Sequence, residues 1–207
     1  MIRSRMLLAV LGAVALGLGT LALRAEEKKV EEGWVKLFNG KDLAGWKASE
    51  KIEWKVDNGE IVTPPIRSHL FTDQEFKNFE FKADCLTTPG SNSGLYFHTK
   101  YEDTFPNNGY EVQVNQTQGD PVKSGSLYNV VKLFSSPVKD NEWYTYHIIV
   151  KGKQITVKIN DKTLYEYVEP EGVTGTRRLS KGSFAIQAHD PKSVARYKNI
   201  MVKVLPD

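Results

Sequence analysis

Asn78-Phe79-Glu80-Phe81-Lys82-Ala83-Asp84-Cys85-Leu86 alternates without a break. Phe79, Phe81, Ala83 and Cys85 point one way, and Glu80, Lys82 and Asp84 point the other. Successive side chains of a strand lie on opposite faces, so this period of two marks a strand with one buried face. The same period recurs on both sides of it. Ser93 to Thr99, Tyr110 to Gln116, Trp143 to Lys151, Gln154 to Asn160, Thr163 to Val168, Ser183 to His189 and Val194 to Leu205 read as strands. Shorter ones are expected at Trp34–Phe38, Ile52–Val56, Glu60–Val62 and Ser68–Phe71. Between them stand turn residues: Asp57-Asn58-Gly59, Thr88-Pro89-Gly90, Pro106-Asn107-Asn108-Gly109, Lys151-Gly152-Lys153 and Asn160-Asp161. Many short strands with almost no helical period predict an all-β sandwich or barrel. Residues 119–142 and 169–182 lack the alternation and read as long loops.

The first 25 residues stand apart from this pattern. Arg3 and Arg5 precede an apolar run from Met6 to Leu21, and Leu23-Arg24-Ala25 leads into Glu26-Glu27-Lys28-Lys29. That is the layout of a secretory signal peptide, with Ala25 at the expected cleavage position and Leu23 larger than the small residue favoured two places earlier. The expected organisation is a signal peptide over 1–25, a flexible lead-in over 26–32 and one domain over 33–207, exported to the periplasm or beyond. Three of the 28 basic residues and none of the 25 acidic ones fall within 1–25, so the remainder carries 25 of each. A chain without net charge offers nucleic acid no electrostatic footprint, and no membrane contact is expected apart from the export signal. The single cysteine, Cys85, lies on the apolar face of its strand and reads as a buried, inert thiol.

Several strands carry large hydrogen-bonding residues on the face turned away from the core. Tyr110 to Asn115 places Glu111, Gln113 and Asn115 together; Gly94 to His98 places Tyr96 with His98; Ala185 to His189 places Gln187 with His189. If those strands are neighbours, they form a polar platform suited to a polyhydroxyl ligand, because amides and carboxylates bind hydroxyls and aromatic rings cover pyranose C–H faces. Taken one at a time, His69, His147, Gln113 and Tyr96 read as ordinary structural side chains. Repetition across strands is what makes Glu111 and His189 candidates. His98, His189 and Glu111 are metal-ligand types, but no HxH or HExxH spacing is present.

Gly33-Trp34-Val35-Lys36-Leu37-Phe38-Asn39-Gly40-Lys41-Asp42-Leu43-Ala44-Gly45-Trp46 resembles the LFNGKDLxGW opening of the 3-keto-disaccharide hydrolase domain family. Further segments resemble that family in order: Asn92 to Phe97 (NSGIYF), Gly109 to Val114 (GYEVQI), Ser124 to Tyr128 (TGALY), Glu142 to Tyr146 (EWNTY), Ile186 to Asp190 (LQDHG) and Tyr197 to Ile200 (FRNI). The resemblance implies a concanavalin A-like jelly-roll sandwich of two antiparallel sheets, and action on glycosides oxidised at C3. His98 stands where the family often has Arg, Lys198 replaces an Arg, and Asp190-Pro191 follows His189 where Gly is usual.

A 3-keto group acidifies the C2 proton, so the aglycone can leave C1 by β-elimination, and hydration of the enone completes net hydrolysis. That route needs a base near C2, an electrophile at the C3 oxygen and an acid for the leaving oxygen. The expected roles are His189 or Glu111 as base, and Tyr128 or Tyr96 as acid. A divalent cation, Lys132 or His98 would polarise the ketone, and Asn92, Gln113 and Gln187 would hold hydroxyls. Two other readings use the same sandwich. One is a non-catalytic, lectin-like carbohydrate-binding module. The other is an ordinary glucanase, which the single acid of Glu111-Val112-Gln113-Val114-Asn115 disfavours.

Overall fold

The computed structural model describes residues 32–207. The expected signal peptide, and all but the last residue of the lead-in, lie outside the described residues. Thirteen strands follow in order: β1 Trp34–Lys36, β2 Trp46–Ala48, β3 Lys55–Asp57, β4 Glu60–Val62, β5 Ser68–Thr72, β6 Phe79–Thr87, β7 Asn92–Thr99, β8 Tyr110–Asn115, β9 Tyr144–Lys151, β10 Gln154–Ile159, β11 Lys162–Val168, β12 Ser183–Ala188 and β13 Ala195–Val204. They form two antiparallel sheets. The larger has eight strands, ordered β11-β10-β9-β6-β13-β4-β3 with β1 also paired to β13. The smaller has five, ordered β2-β5-β12-β7-β8. Where a strand was expected from Ile52, a 3-10 turn over Ser49–Lys51 precedes one that begins only at Lys55, and β2 has no period long enough to show in the sequence.

β6 lies inside the larger sheet and alternates buried and half-buried along its whole length. Phe79, Phe81, Ala83 and Cys85 are all nearly inaccessible and face the five-stranded sheet. Phe184 of β12 meets them from that sheet, 4.4 Å from Phe81 and 4.7 Å from Phe79 between ring centroids. Burial pushes the Cys85 thiol up to about 12, as an inert core cysteine requires. Phe81→Ala leaves a ring-sized cavity between the sheets, and chemical denaturation is expected to show a loss of about 3–5 kcal/mol.

The five-stranded sheet differs from a half-solvated sheet, because β5, β7, β8 and β12 are buried at every position. One face, with Leu70, Leu95, Val112 and Ile186, packs into the core. The other is roofed by the irregular segments. Residues 122–128 lie along the free edge of β8: Gln113 N donates to Ser126 O, Gly125 N to Gln113 O and Tyr128 N to Glu111 O. The expected loop over 119–142 thus closes a sheet edge that would otherwise present unpaired backbone.

Candidate functional site

Strand pairing sets the polar face. Tyr96 stands opposite Glu111, Gly94 opposite Gln113, Ala185 opposite Tyr96, and Gln187 opposite His69. Side chains of such partners share a face, so β5, β12, β7 and β8 bring Tyr96, Glu111, Gln113, Gln187 and His69 together. Asn92 lies at the start of β7 and His189 one residue beyond β12. A cleft of about 320 Å³ opens over all of these but His69, completed by Phe105, Pro106, Asn107, Asp120, Tyr128 and Arg177 from the loops. Seven of the sequence candidates therefore converge: Asn92, Tyr96, Glu111, Gln113, Tyr128, Gln187 and His189. They do so under a roof, not on an open platform, since Asn92, Gln113 and Gln187 are each only 2% exposed.

Glu111 is a buried carboxyl in the lining of the cleft. Its carboxylate occupies the space over Gly94: a Cβ at that glycine would lie 2.3 Å from Oε1 and 3.0 Å from Cγ. Burial raises its pKa to about 7; the neighbouring Tyr96 hydroxyl and the Arg177 charge oppose this, and Asp120 adds to it. Burial, reinforced by Glu111, carries Tyr96 well above the usual phenol range. Tyr128 is raised by burial, then by Asp120 and Glu111. At neutral pH the carboxyl is therefore a better proton donor than either phenol.

His189 is oriented by its sequence neighbour. Its Nδ1 lies 2.9 Å from Asp190 Oδ2. Asp190 also accepts from Ser193 Oγ at 2.7 Å and from Lys192 N at 2.8 Å. Burial pushes that carboxyl up, but these bonds and His189 outweigh it and hold the group at about 2. An ionised Asp190 accepts a hydrogen bond from Nδ1–H, and that tautomer leaves the lone pair on Nε2, the arrangement of a general base. Ser193 Oγ also accepts the backbone N–H of Asn92, tying this pair to β7.

Two candidates do not join the cleft. His98 was expected beside Tyr96 by simple alternation, but β7 carries a bulge. Register with β12 slips between Ala185↔Tyr96 and Ser183↔Thr99, and His98 has a φ of 56°. The extra residue breaks the period of two, as bulges do. His98 turns inward against Phe79 and Phe97. Its Nδ1 accepts from Ser180 N at 3.0 Å, so Nε2 carries the proton and donates to Lys77 O at 2.8 Å. With both nitrogens engaged it cannot polarise a ketone. Lys132 is exposed and absent from the lining.

Arg177 brings a guanidinium into the cleft that neither of those two enters. Its Nη1 donates to Tyr128 O at 3.1 Å, with the guanidinium 6.0 Å from the Tyr128 ring centre. The 169–182 segment that delivers it is pinned by Glu169, which accepts from Tyr110 Oη at 2.6 Å and from Leu179 N at 2.7 Å, and by the His98–Ser180 bond. His98 is thus a positioning residue for the Arg177 loop. His98→Ala is expected to lower kcat/KM about tenfold through misplacement of that loop while the fold survives, read by steady-state kinetics beside a circular dichroism melt. Asp120, Arg177 and Phe105 escaped sequence reading because loops have no period. The available signal was an aromatic in turn chemistry at Thr104-Phe105-Pro106-Asn107. Among the described residues no group of three or more His, Cys, Asp and Glu side chains gathers to hold a metal ion. The donors present do not fit the divalent cation considered from sequence, and Arg177 is the cationic side chain that lines the cleft among the described residues.

Two antiparallel sheets with a roofed polar cleft on the smaller one define a concanavalin A-like jelly-roll sandwich. The crystal structure of a Parabacteroides distasonis protein provisionally named a glycosyl hydrolase superimposes with a TM-score of 0.73 at 24% identity, covering 84% of this chain and 95% of that one. The carbohydrate-binding module CBM66 of Bacillus subtilis superimposes with a TM-score of 0.57 at 15% identity, covering 77% and 95%. Residues 33–203 match the 3-keto-alpha-glucoside-1,2-lyase-like domain, and the chain belongs to that family. A 3-keto-disaccharide hydrolase of Bacteroides thetaiotaomicron is 22% identical over 170 residues, which span 66% of this chain and 59% of that protein.

Proposed function

We propose that this chain is an exported enzyme that cleaves 3-keto-glycosides, disaccharides included, by C2 proton abstraction, β-elimination of the aglycone and hydration of the enone. The observation that carries the reading is Glu111: a buried carboxyl with a pKa of about 7, in one cleft with a carboxylate-paired imidazole and a guanidinium. Family membership and the name of the Bacteroides relative agree with it.

In this reading His189 Nε2 takes the C2 proton. Arg177 faces the C3 oxygen and stabilises the enolate. Glu111 gives its proton to the departing oxygen as the C1–O bond breaks. Water then adds at C1 of the enone and gives up a proton to the Glu111 carboxylate, His189 delivers its proton to C2, and the 3-keto sugar is released with both groups restored. Asn92, Gln113 and Gln187 hold hydroxyls, while Tyr96 and Tyr128 flank the carboxyl.

The test offers purified protein a 3-keto-glucoside with a chromogenic aglycone, with and without chelator. No release in either condition would sink the enzyme reading and leave a sugar-binding module. In deuterated water, elimination places deuterium at C2 of the product; its absence during turnover would rule out the C2 route. A second reading is favoured by one observation: Asp120 joins Glu111 in the cleft, so two carboxylates are available for direct hydrolysis. Cleavage of the corresponding unoxidised glucoside at a comparable rate would select it. Fractionation of expressing cells checks export.

A further inference from the structure

Two loops roof the cleft. Residues 100–109 lead into β8 and bring Phe105, Pro106 and Asn107 to the lining; residues 169–182 lead into β12 and bring Arg177. β7 lies between β12 and β8 in the sheet. Each loop ends on a glycine pressed against the bulge of β7. A Cβ at Gly109 would stand 2.1 Å from Phe97 O and 2.6 Å from the carbonyl carbon of His98. One at Gly182 would stand 2.3 Å from Thr99 O and 2.6 Å from that same carbon. Neither gap admits a side chain, so both loops are seated on one short stretch of backbone, Phe97 to Thr99.

The loops are also joined to each other beside Arg177. Gly109 N donates to Thr176 O at 3.0 Å, and the same oxygen accepts from Arg178 N at 3.1 Å. The carbonyl that precedes Arg177 is thereby held by the last residue of the neighbouring loop. That neighbour is closed on itself by Glu102. Its carboxylate accepts from Asn107 N at 3.1 Å, from Asn107 Nδ2 at 2.7 Å and from Asn108 Nδ2 at 3.3 Å. Three bonds to one side chain fix the two residues that stand immediately before Gly109, while Glu102 itself is absent from the lining of the cleft.

We propose that the two loops move and hold as one unit, and that Glu102 is a positioning residue for Arg177. Glu102 sets Asn107 and Asn108, these set Gly109, and the Gly109 amide sets the backbone that carries the guanidinium. This rests on the reading of the cleft as a 3-keto-glycoside site in which Arg177 faces the C3 oxygen. A substrate that touches Phe105 or Asn107 then acts on Arg177 as well.

The experiment measures kcat for an aryl 3-keto-glucoside in wild type, Glu102→Ala, Arg177→Ala and the double variant, with melting temperature as a check on the fold. Glu102→Ala is expected to lower kcat about tenfold when Arg177 is present and less than about twofold when it is not. Equal losses in both backgrounds overturn the coupling, because a clamp that served only the fold or only Phe105 would cost the same with or without the guanidinium. Glu102→Gln, which keeps an oxygen for Asn107 N, is expected to restore most of the rate. Hydrogen exchange on the unliganded protein needs no turnover. Glu102→Ala is expected to speed exchange at Leu179 and Ser180 together with Gly109, and unchanged exchange at Leu179 and Ser180 overturns the coupling. If wild type does not turn over the glucoside, the enzyme reading fails on its own, and the exchange result still decides whether the two loops are one unit.

Discussion

Glu111→Gln is expected to cut kcat by about 100- to 10,000-fold, the usual contribution of a positioned proton donor. The wild-type rate should also fall as pH rises past about 7, because the donor is then ionised. The same substitution is expected to stabilise the protein at neutral and alkaline pH. The folded-state carboxyl titrates at about 7 against 4.5 for the free group, so the folded chain binds this proton more tightly than the unfolded chain. Below 4.5 the group is protonated in both states and carries no penalty. As pH rises through 4.5 to 7 the unfolded state ionises first and stability is lost, by about 3 kcal/mol above 7. Glu111→Gln removes that slope. Its melting temperature should exceed wild type at pH 8, and the gap should close on acidification to pH 4.5. Asp190 acts in the opposite sense and in a lower window: its stabilisation is lost as pH falls through 3.8 toward 2. A difference in melting temperature that stays constant from pH 4.5 to 8 would show that Glu111 is not held protonated.

Gly94→Ala should have the second-largest effect. The new methyl would lie 2.3 Å from Oε1, 3.0 Å from Cδ and 3.0 Å from Cγ of Glu111, so the carboxylate must move from its place. Gly94 needs no unusual backbone conformation, so the substitution strains the site and not the chain. Displacement of a catalytic group by about 1 Å costs on the order of 100-fold in rate. Kinetics should show that loss in kcat while the denaturation midpoint stays near wild type. Because the moved carboxyl gains water, the alkaline limb of the pH profile should shift toward lower pH. Full activity in Gly94→Ala would show that the buried carboxylate position is not the reactive one.

The division between what was readable in the chain and what was not follows these residues. Glu111, Gln113, Tyr96, Gln187 and His189 were legible because strand alternation is local: every second residue shares a face, and three strands repeated the pattern. Cys85 was legible for the same reason. His98 failed because a single bulge residue reverses the phase, and nothing in Tyr96-Phe97-His98-Thr99 marks it. The buried state of the polar face also escaped. Alternation reports which side a residue takes but not whether a loop later covers that side.

The order and the inward faces of the strands were set by the sequence alone, because hydrophobic period and turn chemistry act over a few residues. So was family membership, carried by ordered motifs from Gly33 onward. The tertiary structure alone decided that Arg177 and not Lys132 lines the cleft, that Asp120 and Phe105 enter it, and that Glu111 is dry enough to hold a proton near neutrality. Each of these depends on loops distant in sequence meeting over one sheet. The raised carboxyl in particular comes from desolvation, which no single stretch of chain can produce.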